Sequence, residues 1–284
     1  MNTILVPTDF SQNAKNALNF AIGIAKKGKA KIILLHAYNI TYLSPDMPLD
    51  YLSEQLSSAE LESARILNVL CEKVKKENKI TCEFVNQEGL AIDVILDTVK
   101  NKNPNLVIMG TKGATGLKEV LIGSNTAKVM GKAACPVIAI PEKATFDLMK
   151  KIVYATDYHP SDITALNKLV EFAKIFKSKI KVLHITNTDD LMDVEEKRML
   201  NFKKKVIAKL DYAGISFQLL YAKNIEKKLE KYVKDESINL LAMSTRYRNL
   251  IERLFGKSLT KKLAYHTKVP LMAFHYKPAP LVFI

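Results

Sequence analysis

The segment TILVPTDF at residues 3–10 comes back as KIVYATDY at 151–158, which sets Asp157 148 positions after Asp9. KIILLHAY at 31–38 returns as KIKVLHIT at 179–186, with His184 against His36 at the same offset. Further on, NLVIMGTKG at 105–113 pairs with NLLAMSTRY at 239–247, and CPVIAI at 135–140 with VPLMAF at 269–274, now at an offset of 134. An internal repeat of this length constrains the fold more than any local pattern, because each copy must close a core on the same plan. The change of offset means that fourteen residues are missing from the second copy, between its second strand and the start of its third. The chain therefore reads as two homologous domains, 1–142 and 150–276, joined near PEKATFDLMKK at 141–151 and followed by an apolar tail at 277–284.

Each copy alternates β-branched apolar runs with helical periodicity. In the first, TILVP is a strand, and Ser11 is placed to cap a helix whose Ala14, Ala17, Leu18, Ala21 and Ile24 share one face until Gly28 stops it. KIILLHAY, a loop with Pro45 and Pro48, a long helix over 50–77, CEFVNQ, a helix over about 91–102, LVIMG, a helix opening at Gly123 and PVIAI complete the copy. Five near-continuous apolar strands separated by helices predict an α/β fold: in each domain a doubly wound, five-stranded parallel sheet with right-handed crossovers. If the strand order is 3-2-1-4-5, the build reverses between strands 1 and 4, and ligands bind outside their carboxyl ends, here PTD and MGTKG.

The ten glycines of the chain are unevenly used, with four of them in MGTKGATGLKEVLIGSNT at 109–126. Gly110 and Gly113, just past a strand end, can take positive φ and let backbone amides approach an anion without a Cβ in the way. Gly123, Ser124, Asn125 and Thr126 open the next helix, where free N–H groups and the positive dipole end converge with side-chain donors as in a phosphate cradle. The same glycines equally suit a tight βα turn with Ser124 as a plain helix cap. Neither the P-loop spacing nor the G-x-G-x-x-G spacing after strand 1 is met. Gly116 lies outside the pattern and is read as serving the turn alone.

Taken together, VPTDFS, LLHAY, MGTKGATGLKEVLIGSNTAKV and CPVIAI resemble the universal stress protein family over nearly all of 1–141, and a weaker copy covers about 151–276. The family's ATP-binding pattern, G-x2-G-x9-G-S/T, is met by Gly110, Gly113, Gly123 and Ser124. The resemblance implies an adenine nucleotide alpha hydrolase-like sheet order and ATP as the ligand. Asp9 would reach the adenine or ribose, Pro7 and Thr8 would shape the floor, and Ala37 would flank the base. Met109, Gly110, Lys112 and Gly113 would line the ribose-phosphate path, and Gly123, Ser124, Asn125 and Thr126 would hold the phosphates. It also implies that the last strand of each copy pairs the two domains as a pseudo-twofold dimer within one chain. The tail would pack on the other domain or on a second tandem chain, as in a homodimer.

In the second copy Ser244 stands for Gly110, Tyr247 for Gly113 and Lys257 for Gly123, although Ser258 and Thr260 persist. A tyrosine where backbone must approach phosphate obstructs the ATP pose, so the second domain is expected to hold no ATP. Arg246, Arg248, Arg253 and Lys257 remain candidates for a smaller anion or an acidic partner, or for an ordinary solvated loop. The basicity concentrates there too: residues 1–148 hold 17 Lys and Arg against 15 Asp and Glu, and 149–284 hold 26 against 14. Acids interleave the lysines in EKRMLNFKKKVIAKL and EKKLEKYVKDE, which favours a solvated face. Nucleic-acid binding is disfavoured further by the lack of interleaved aromatics.

The remaining candidates point away from catalysis. His36 and His184, at matched places on apolar strands, read as hydrogen-bonded core residues; His159, His266 and His275 form no metal-ligand spacing; Glu88 reads as a turn residue. Cys71, Cys82 and Cys135 lack any CxxC spacing and read as reduced thiols. No membrane-span-length apolar run and no export signal are present, so the chain is expected in the cytoplasm. A nucleotide-dependent sensor or regulator is thus the leading expectation. The enzyme alternative is a slow ATP hydrolase or transferase, with Asp9 positioning water and Mg²⁺. Related hydrolases would carry a Ser-Gly-Gly-x-Asp-Ser-like loop after strand 1, and VPTDFS is not that loop.

Overall fold

A computed structural model describes residues 1–39, 49–111, 122–188, 191–245 and 269–275. Lys112, Gly113 and Gly116, the second-copy residues 246–268 and the tail 277–284 lie outside them. The chain divides into two units, Met1–Phe146 and Asp147–Ile284.

In the first unit the elements run β1 (Thr3–Pro7), α1 (Gln12–Gly28), β2 (Lys31–Tyr38), α2 (Leu49–Asn78), β3 (Cys82–Glu88), α3 (Ala91–Lys102), β4 (Leu106–Gly110), α4 (Ser124–Met130) and β5 (Val137–Ile140). Its strands lie in the order β3-β2-β1-β4-β5, with every pair parallel. The second unit runs β6 (Lys151–Ala155), α5 (Ser161–Phe176), β7 (Lys179–Thr186), α6 (Met192–Lys209), β8 (Ile215–Tyr221), α7 (Ile225–Asp235), β9 (Leu240–Ser244) and β10 (Leu271–Phe274). Its order, β8-β7-β6-β9-β10, repeats that of the first, again with parallel pairs. Both units are therefore doubly wound α/β sheets of order 3-2-1-4-5, and β1 lies beside β4 through Ile4–Leu106 and Leu5–Val107.

Continuous apolar runs make the central strands: all of Ile4–Val6, Leu106–Ile108 and Val137–Ile140 are at most 1% exposed, as befits strands covered on both faces. The outer strand β3 departs from that plan. In CEFVNQE only Cys82 is buried, and exposed Glu83 pairs with Lys31 of β2 at 3.0 Å, because an edge strand needs one covered face and can give the other to water.

Ser11 caps α1, its Oγ accepting from the Ala14 amide at 3.2 Å, and Ala17, Phe20, Ala21 and Ile24 form the buried stripe. The helix does not end through a glycine in the left-handed region. Gly28 is its last residue, and Lys29 takes the left-handed place at φ 51 while Ala30 N bonds the Ala25 carbonyl. Edge-on against Phe20 of α1, the ring of Phe146 lies across Gly23, so that a Cβ there would sit 2.4 Å from Phe146 Cε1. Alanine at an open helical position should add about 1 kcal/mol of stability over glycine. Gly23→Ala is expected to lower stability in the natural background and to raise it in Phe146→Ala, a reversal of sign readable by urea denaturation. The same sign in both backgrounds would remove the ring as the cause.

Candidate functional site

The site is built where β1 ends. After Pro7 the chain turns through Thr8, Asp9 and Phe10, with Phe10 at φ 63. Thr8 Oγ1 accepts from the Phe10 amide at 3.0 Å, Asp9 Oδ1 accepts from the Ser11 amide at 3.1 Å, and the Thr8 carbonyl takes the His36 Nδ1–H at 2.8 Å. The Phe10 ring stacks on His36 with centroids 4.3 Å apart. This turn leaves the Asp9 side chain exposed at the mouth of the crevice while Pro7 is buried beneath it. Ala37, half-buried, follows on β2.

The β4 side of the crevice is equally specific. Thr111 N bonds the Ile140 carbonyl at 3.0 Å, and the Thr111 carbonyl receives the Gly123 amide at 2.6 Å, so the chain leaves the strand and rejoins the fold at one point. Gly123 is the residue before α4, at φ −60 and ψ 154, and among the described residues no side chain caps that helix. The helix therefore starts with uncapped amides and no acidic residue in its first turn. Ser124 and Asn125 are exposed there, whereas Thr126 is buried with its hydroxyl donated to the Gly110 carbonyl at 2.8 Å. Ser124 is thus the first residue inside the helix and not its cap.

Gly110 has a reason that the sequence did not disclose. It is not in the positive-φ region; a Cβ there would instead meet Asn13 Cγ at 2.9 Å. Asn13, 6% exposed on the inner face of α1, points its amide toward Thr111 Oγ1 at 3.5 Å. The strand end is glycine because a polar side chain from the neighbouring helix passes against it. Met109 is buried beside it, so only its main chain borders the crevice.

The second unit reproduces the turn almost atom for atom. Tyr158 stands at φ 66, Thr156 Oγ1 accepts from the Tyr158 amide at 2.8 Å, and Asp157 Oδ1 accepts from His159 N at 3.2 Å. The Thr156 carbonyl takes the His184 Nδ1–H at 2.6 Å, and Tyr158 stacks on His184 at 4.5 Å. Both strand histidines are therefore hydrogen-bonded supports of the turn. The surroundings differ. Ser161 and Ser244 occupy the places of Asn13 and Gly110, and Asp162 that of Ala14. From α6, Glu195 meets Arg198 at 2.7 Å and His184 Nε2 at 3.5 Å, the latter an ion pair only when the ring carries both protons. Arg198 lies 5.8 Å from the Tyr158 ring centre and donates to the Asp157 carbonyl at 3.2 Å. The second turn is thus flanked by charged side chains of α6 that the first lacks among the described residues. None of Asn13, Asp162, Glu195 and Arg198 was singled out from sequence, although a polar residue within an apolar helical face was the available signal. Among the described residues no cluster of His, Cys, Asp and Glu could hold a metal ion, and no helix is long and apolar enough to cross a membrane.

Asp162 is 1% exposed; Tyr154 Oη donates to its Oδ1 at 3.0 Å and Thr156 Oγ1 to its Oδ2 at 2.7 Å. Burial pushes its carboxyl up to about 6 against the opposing pull of the two hydroxyls. A carboxyl raised in the folded state holds its proton more tightly there, so its stabilising contribution is full below the unfolded value near ~4 and is lost as pH rises through about 6. Asp162→Asn should therefore abolish a fall of about 3 kcal/mol in unfolding free energy across that window, measured by denaturation at stepped pH. A wild-type slope retained in the variant would contradict the assignment.

The model of the Universal stress protein family matches residues 1–141 and again residues 149–275. A universal stress protein of Synechocystis is 22% identical over 293 residues, covering 96% of this chain and all of that protein. The Bacillus subtilis universal stress protein YxiE is 28% identical over 146 residues, 49% of this chain and 98% of its own length. The crystal structure of a universal stress protein from Archaeoglobus fulgidus aligns with a TM-score of 0.70 at 18% identity, covering 96% of both chains, a likeness of fold.

Proposed function

This chain belongs to the universal stress protein family, and we propose that its first unit binds ATP and that the protein acts as a nucleotide-dependent regulator in the stress response. The observation that carries the reading is the pairing, across the β1–β4 crevice, of exposed Asp9 with the uncapped, acid-free start of α4, where Ser124 and Asn125 are exposed. That donor set suits a ligand with a hydrogen-bonding base or sugar at one end and phosphate at the other. Asp9 would take the adenine or ribose, with Pro7, Thr8 and Ala37 as its walls. The main chain of Met109 and Gly110 and the residues Lys112 and Gly113 would border the ribose and phosphates. Gly123, Ser124, Asn125 and Thr126 would hold the phosphates, Thr126 through its amide because its hydroxyl is committed to Gly110. Bound ATP supplies a polyphosphate whose presence a partner can read.

In the same proposal the second unit supplies structure and holds no ATP. The Arg198–Glu195–His184 cluster lies against the second turn, where Arg198 donates to the Asp157 carbonyl, and Tyr247 and Lys257 stand in the sequence where the first copy has Gly113 and Gly123. Pairing of the two units along VIAI and LMAF, apolar throughout, and cytoplasmic residence complete the proposal.

Gly123 takes dihedral angles open to any residue, so Gly123→Val leaves the backbone free to fold while adding bulk at the phosphate-facing end. Nucleotide extracted from the purified chain should be adenine nucleotide. Calorimetry should give one ATP per chain, weakened roughly tenfold or more in Gly123→Val, a loss of about 1.4 kcal/mol, with unchanged circular dichroism. Equal binding by the variant would overturn the site, and two ATP per chain would overturn the assignment of the second unit. Sustained phosphate release by the wild type would transfer the reading to a hydrolase.

A further inference from the structure

The three cysteines read from the sequence as reduced thiols are all free and buried, and the fold brings two of them into contact. Cys71, in the last part of α2, and Cys82, the first residue of β3, are 2% and 3% exposed, and their sulfurs lie within hydrogen-bond distance of each other at 2.8 Å. Cys135 lies apart, in the connection leading to β5.

The contact is held in register by a second one. Ser63 Oγ and the Asn86 side chain bond each other at 2.9 to 3.1 Å, and Asn86 Nδ2 also donates to the Glu60 carbonyl at 3.0 Å. From Ser63 to Cys71 is eight residues of helix, or ~12 Å, and from Asn86 back to Cys82 is four residues of strand, or ~13 Å. Helix and strand run antiparallel over equal lengths, so the polar latch at one end keeps the sulfurs together at the other. A disulfide needs the sulfurs at ~2.0 Å, a closure that side-chain rotation can supply while the latch stays made.

We propose that Cys71 and Cys82 form a reversible dithiol/disulfide site whose oxidant is a small hydroperoxide. The contact between the two thiols, assisted by the nearby Lys75 ammonium, holds the Cys71 thiol below its usual range, while the same contact and burial push Cys82 up. Cys71 is therefore the attacking sulfur. Its thiolate attacks one oxygen of hydrogen peroxide; an S–O bond forms, the O–O bond breaks, and the departing hydroxide takes a proton to leave as water. Cys82 sulfur then attacks the Cys71 sulfenic acid; the S–S bond forms, the S–O bond breaks, and the Cys82 proton goes to the departing hydroxide as a second water. Two thiols are oxidised by two electrons and one peroxide is reduced to two waters. A small dithiol returns the pair to its reduced form by exchange.

The sulfurs lie one layer below the surface. Thr81 and Glu83 on either side of Cys82 are exposed, as are Lys75 and Lys76 beyond Cys71, so the path for a water-sized oxidant is short.

The test uses the full chain. After hydrogen peroxide and quenching, the free-thiol count should fall from three to one. Non-reducing tryptic digestion should then yield peptides 66–73 and 80–100 joined, lighter by two hydrogen atoms and separated by dithiothreitol, with Cys135 still alkylatable. In Cys82→Ser, Cys71 should stop at the sulfenic acid and be trapped by dimedone. A thiol count that stays at three, oxidation of either cysteine to sulfinic acid without the cross-link, or a link through Cys135 would each overturn the proposal.

Discussion

Beyond the last residue of β1 the Thr8 carbonyl has left the sheet ladder, and the His36 ring on β2 satisfies it at 2.8 Å. Leaving such a part-buried acceptor unmade costs about 1–3 kcal/mol, which is enough to reject other turns. The bond ties the turn to the neighbouring strand, and the rest follows from it. Phe10 is held in the left-handed region by packing on the same ring, Asp9 is bent back to receive the Ser11 amide, and Ser11 is thereby set to cap α1. One imidazole fixes the strand end, the exposed carboxylate and the start of the helix.

The second unit keeps this device and changes what surrounds it. Thr156, Tyr158 and His184 repeat the geometry to within a few tenths of an ångström, which shows that the turn belongs to the fold and not to a ligand. The replacements around it come in compensating sets. Where the first unit pairs a large Asn13 with Gly110, the second has Ser161 and Ser244. Where the first has Ala14 below a short Val6, the second places Asp162 beneath Tyr154 and Thr156, whose hydroxyls satisfy both carboxylate oxygens. A carboxylate in that place is tolerable only with those donors, since an unpaired buried charge would be prohibitively costly. The second crevice thus spends its polar groups on one another, and the first keeps Asp9, Ser124 and Asn125 exposed.

Long-range coupling of a different kind joins α2 to β3. The Ser63–Asn86 latch and the Cys71–Cys82 contact act over matched lengths of helix and strand, so the edge of the sheet is held by polar and sulfur contacts where its side chains are too exposed for apolar packing alone. That division of labour explains how CEFVNQE can be an ordered strand with so little buried surface.

The repeat, the apolar strand runs and the helix start at Ser11 were sufficient in the sequence to place the strands of each unit and the crevice between β1 and β4, because they depend on local periodicity and on a plan stated twice. The spacing of Gly110, Gly123 and Ser124 located the end of β4 and the start of α4 for the same reason. What each residue does there was decided by tertiary contact. Gly110 is small because Asn13 crosses it, Thr126 turns inward to the Gly110 carbonyl, and Lys29 takes the left-handed place beside Gly28. Cys71 and Cys82, without a motif between them, meet because an antiparallel helix and strand bring them level. Sequence determines the elements and their order through short-range pattern. Which side chains meet across elements follows only from the packing of one element on another, where distance along the chain carries no information.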